Sequence, residues 1–75
     1  MDTEPVITVN KFNYILADGR KIGFVLKYGR TWRGFDLGME AHADPLRDSD
    51  RSSAGKTRLE AARNFFALVN SQARH

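Results

Sequence analysis

Lys21-Ile22-Gly23-Phe24-Val25-Leu26-Lys27-Tyr28 alternates with a period of two. The even positions are large and apolar. The odd positions carry two lysines, a glycine and a valine. A period of two is the pitch of a strand with one face against a core and the other against solvent. Asp18-Gly19 precedes this run and is a two-residue hairpin signal, because both central residues of a type I′ turn need positive φ. The sequence therefore predicts an incoming strand over Val6 to Ala17, with Phe12, Tyr14 and Leu16 on the face shared with Ile22, Phe24 and Leu26. Gly29-Arg30 predicts a second turn, and Thr31 to Leu37 a third strand. There the phase is mixed: Trp32 has one parity, Phe35 and Leu37 the other. A bulge at Arg33-Gly34 would reconcile them.

Residues 38–55, rich in Asp, Ser, Pro and Gly, read as a long irregular loop. A short helical turn over Met39 to Ala43 fits before Pro45. Thr57-Arg58-Leu59-Glu60 then matches a capping box. Leu59, Ala61, Ala62, Phe65, Phe66, Leu68 and Val69 cover about half of the helical wheel that follows. Residues 1–5 and 73–75 read as disordered ends around one β-β-β-α domain spanning 6–72.

The expected fold class is α+β: a three-stranded antiparallel meander packed on one C-terminal amphipathic helix. In its simplest packing the helix covers the even face. The open face then carries Lys11, Asn13, Ile15, Lys21, Gly23, Val25, Lys27 and Arg33. In order and type of elements this resembles the small sheet-plus-helix modules that bind DNA through the sheet, such as the arm-binding domains of phage-type integrases.

Bulk properties narrow the chemistry. A chain of 75 residues is one small domain with a limited core. It has no cysteine, which removes disulfides and thiolate metal sites, and its histidines, His42 and His75, are far apart in sequence. The acidic start Met1-Asp2-Thr3-Glu4-Pro5 is unlike a signal peptide, and no apolar run approaches membrane-spanning length. These features predict a cytoplasmic protein without cofactor or membrane partner. The net charge is +3, with four basic residues against one acidic in 56–75. That balance is compatible with a polyanionic partner.

Three motifs carry candidate chemistry. Ala54-Gly55-Lys56-Thr57 matches the end of a phosphate-binding loop, but Asp50 stands where its first glycine belongs. Ser52, Ser53, Lys56 and Arg58 at a helix start can still meet a phosphate. Asp44, Asp48 and Asp50 suggest a calcium loop, but Ser53 and Leu59 occupy its glycine and glutamate positions. Tyr28 to Phe35 interleaves aromatics with arginine and glycine, which suits base stacking or a protein interface. No catalytic set is present, so the sequence predicts a non-enzyme.

The sequence thus predicts a nucleic-acid-binding accessory protein, DNA rather than RNA, using Lys11, Asn13, Lys21, Lys27, Arg30, Arg33, Lys56 and Arg58. The alternative is a phage- or plasmid-type module that binds a host protein through Tyr28, Trp32 and the acidic loop. A third reading is a homodimer formed through the sheet edge at Val6 to Val9.

Overall fold

The computed structural model describes residues 4–41 and 53–72. Its architecture is α+β: a curled five-stranded antiparallel sheet in the order β1-β2-β3-β4-β5 and one C-terminal helix. The strands are β1 (Ile7–Val9), β2 (Tyr14–Ala17), β3 (Arg20–Tyr28), β4 (Thr31–Asp36) and β5 (Ser53–Gly55). A single 3₁₀ turn, Leu37–Met39, follows β4, and α1 runs Arg58–Gln72. The expected disorder of residues 1–3 and 73–75, and most of the long loop, lie outside the described residues.

Two of the five strands were not expected. The strand predicted over Val6 to Ala17 is broken in two at Asn10–Asn13. The Asn10 carboxamide accepts from the amides of Phe12 and Tyr14, both at 3.0 Å, and Asn13 takes a φ of 68°. Asparagine is the residue that caps its own turn and tolerates the left-handed region. The fifth strand, Ser53–Gly55, pairs with Trp32 to Gly34 of β4, so the predicted loop ends in sheet. The helical turn expected at Met39 to Ala43 is instead the 3₁₀ turn at Leu37–Met39, with Asp36 accepting from the Gly38 amide. Ala43 lies outside the described residues.

The hairpin signals hold. Asp18 and Gly19 both have positive φ, as a two-residue I′ loop needs. At the second turn Gly29 alone has positive φ, in the first central position. The helix begins as its capping box predicts, with the Glu60 amide donating to Thr57 Oγ1 at 3.1 Å.

The predicted faces are reversed. The helix lies on the face of Ile15 and Val25, which are fully buried with Ala61, Ala62 and Phe65. Ile7, Val9, Ile22 and Trp32 pack around this cluster. The reason is size. A side chain on Gly23 would start 2.9 Å from the Phe65 ring, and one on Gly34 would start 2.8 Å from Phe65 Cβ. The helix backbone settles where the sheet presents glycine, not where it presents Phe and Tyr. The even face is covered as well: Phe24 and Phe35 stack at 5.6 Å between centroids, and both are buried. The 3₁₀ turn packs against β3.

Burial on both faces also explains the mixed parity of β4. No bulge interrupts its pairing with β3: Trp32 and Gly34 face the helix, while Arg33 and Phe35 face away. The irregularity lies in β3. Ile15 pairs with Gly23 and Leu16 with Lys21, leaving Ile22 unpaired and turned to the helix cluster. Phe12, expected in the core, is 66% exposed in the Asn10–Asn13 turn.

Candidate nucleic-acid interface

The predicted basic face does not exist as one surface. Lys21 and Arg33 are on the side away from the helix. Lys21 Nζ stands 4.2 Å from the centroid of the Tyr14 ring, and Arg33 is half-buried opposite Leu26. Ile15, Gly23 and Val25, expected beside them in solvent, are under the helix. Lys11 is exposed in the Asn10–Asn13 turn, 5.1 Å from the Phe12 ring.

The remaining candidates converge at one rim, where the β3–β4 hairpin meets the start of α1. Trp32 is the centre. Its backbone pairs with Lys27 on one side and with Gly55 on the other, and its ring is half-buried against the helix cluster. Lys27 Nζ and the Arg58 guanidinium carbon each lie 6.0 Å from the ring centroid, the outer reach of a cation–π contact. Arg58 also donates to Asn13 Oδ1 at 3.0 Å. The left-handed turn at Asn13 thus holds an arginine from a distant part of the chain beside Trp32. Lys56 lies between Gly55 and the Thr57 cap, exposed, and Arg30 and Tyr28 are exposed at the hairpin end. Lys27, Arg30, Lys56 and Arg58 make no ion pair among the described residues. Two cations beside a partly open indole, with Arg30 and Lys56 exposed in the adjoining turns, form a surface that attracts anions.

The other side of the sheet has different chemistry. The Tyr14 hydroxyl donates to Glu40 Oε1. That bond, followed by partial desolvation and the Glu40 charge, raises the Tyr14 pKa above its ordinary value of about 10. A folded-state pKa above the unfolded one contributes stability at lower pH that is lost as pH rises through the folded value. Ultraviolet titration should show Tyr14 ionising above the ordinary tyrosine range, and Glu40→Ala should bring it back toward the ordinary value. An unchanged Tyr14 titration in that variant would contradict the pairing. No group of three His, Asp or Glu side chains gathers as a metal set among the described residues. No helix among them is long and apolar enough to cross a membrane.

The grouping of Lys27, Trp32, Lys56 and Arg58 was legible as residue types but not as a place. Lys27 and Trp32 are cross-strand partners only in the register set by Gly29, and Arg58 joins them only because the helix takes the glycine face. Comparison of the chain with family models, with curated proteins and with solved structures returned no match.

Proposed function

We propose that this protein is a non-catalytic nucleic-acid-binding protein that uses the rim around Trp32. The carrying observation is the indole with Lys27 and Arg58 each 6.0 Å from its centroid, neither of them in an ion pair among the described residues. A base stacked on the exposed part of the indole would have cations on either side for its flanking phosphates. This favours a single strand. Entry of a narrow sheet into a duplex groove needs an open sheet face, whereas here α1 covers one face and Phe24 and Phe35 are buried on the other.

The cationic rim should bind single-stranded DNA with strong salt dependence. Trp32 is the only tryptophan, so its quenching reports the contact directly. Lys27→Glu with Arg58→Glu should lower affinity at least tenfold. If each meets one phosphate, the slope of log affinity against log salt should become shallower by about 1.4. Lys21→Glu, on the opposite side of the sheet, should change little. These are surface positions, and substitutions there usually move stability by within about 0.5 kcal/mol. Absence of binding at low salt, or a loss as large with Lys21→Glu, would remove the reading. RNA and duplex DNA of the same length complete the comparison.

The host-protein reading rests on Tyr28, 45% exposed at the hairpin end, and on Trp32. Its acidic loop falls largely outside the described residues. Quenching of Trp32 by a protein partner but not by DNA would favour it.

A further inference from the structure

The edge of the sheet at β1 is a second surface, which meets the Trp32 rim at Arg58. The Val6 carbonyl accepts from the Asp18 amide at 3.0 Å, and the Asn10 amide donates to the Tyr14 carbonyl at 3.1 Å. In an antiparallel pair the bonding direction alternates residue by residue. Val6, Thr8 and Asn10 therefore turn their backbone groups toward β2. Ile7 and Val9 turn theirs away, where they have no backbone partner among the described residues. Natural edges are usually blunted by lysine, proline or a bulge. Within β1 itself, Ile-Thr-Val, there is no lysine, proline or bulge, and its register with β2 is regular; its three residues and the preceding Pro5 limit how far the open edge runs.

Beside this edge runs α1, and between them lies an open groove. One part, about 670 Å³, is lined by Val6, Ile7, Phe66 and Ala67 among others. A second, about 590 Å³, continues along Val6 to Val9 beneath Leu59. Arg63 borders both parts, is exposed, and makes no ion pair among the described residues. The acidic side chain among the described lining residues is Glu4, in the first part. Val6 itself is 66% exposed.

We infer that this groove takes an extended acidic peptide segment of a partner protein, added to the sheet as a sixth strand beside β1. The outward amides and carbonyls of Ile7 and Val9 supply the main-chain pairing. Alternate side chains of the segment then point at the helix, an apolar one toward Phe66 and an acidic one toward Arg63. A second copy of the chain fits less well, because its own β1 brings no acidic residue to Arg63. A nucleic-acid strand lacks the alternating amide and carbonyl groups that Ile7 and Val9 require.

The test is a display selection of random linear eight-residue peptides against the whole chain, followed by fluorescence anisotropy on the enriched sequences. Enriched peptides should alternate apolar with Asp or Glu. They should lose at least tenfold in affinity when one amide facing β1 is N-methylated, a change that leaves the protein untouched. Arg63→Glu should cost at least tenfold and turn the preference toward lysine-bearing peptides, with the thermal melt unchanged. Failure to enrich any peptide over a control protein would overturn the inference. So would binders indifferent to both N-methylation and Arg63→Glu, or a dimer in sedimentation that excludes the peptides.

Discussion

Phe65→Ala should leave the chain largely unfolded at 25 °C. Phe65 is 3% exposed and sits over two glycines of the sheet, Gly23 and Gly34. Its ring fills a groove that exists because those positions have no side chain. Gly23 and Gly34 have no side chain with which to fill the space when the ring is removed. Truncation of a buried phenylalanine costs roughly 3–5 kcal/mol, with the upper end where the site cannot collapse. A single-core domain this small holds roughly 3–5 kcal/mol in all. Phe66→Ala should cost less, since Phe66 is only half-buried and lines the β1 groove. Far-ultraviolet circular dichroism against urea decides it. A cooperative, native-like transition from Phe65→Ala would contradict the packing of α1 on the glycine face.

The order Phe65 above Phe66 was not legible in the sequence, and the reason is general to this fold. Both residues lie in the apolar half of the helical wheel, and periodicity ranks neither. What separates them is which sheet face the helix takes. Lys21 to Tyr28 shows a strand with one large-residue face, and the simplest inference puts the helix there. The chain instead closes that face with the Phe24–Phe35 stack and the 3₁₀ turn, and brings the helix down on Ile15, Gly23, Val25 and Gly34. The lysines at 21 and 27 alternate correctly with the apolar positions, yet the unpaired Ile22 between them throws them onto opposite sides. Local signals with their own chemistry did survive: the Asp18-Gly19 turn, the Gly29 turn and the Thr57 cap. Asn10 and Asn13 carried an equally local signal, a self-capped turn, hidden within an apparently continuous strand.

Gly55→Ala should be as damaging as Phe65→Ala, although it adds one methyl group. Gly55 ends β5, pairs with Trp32, and stands three residues before Arg58, where α1 begins. The added carbon would fall on the Ala61 amide nitrogen, 2.8 Å from the Glu60 carbonyl carbon and 2.9 Å from Ala61 Cα. All three are main-chain atoms in the first turns of a helix. They cannot rotate aside as a flexible side chain can, so either the helix lifts or β5 leaves β4. Overpacking costs typically 1–3 kcal/mol and more where the neighbours are rigid. Either movement also displaces Arg58 from Trp32, so nucleic-acid binding should fall with stability. Gly38→Ala is the control, because open space surrounds that position and its φ is not positive. It should be neutral, or stabilise by up to about 1 kcal/mol through the unfolded chain. Equal melting temperatures for Gly55→Ala and Gly38→Ala would show that α1 does not approach the sheet as closely as the glycine face requires.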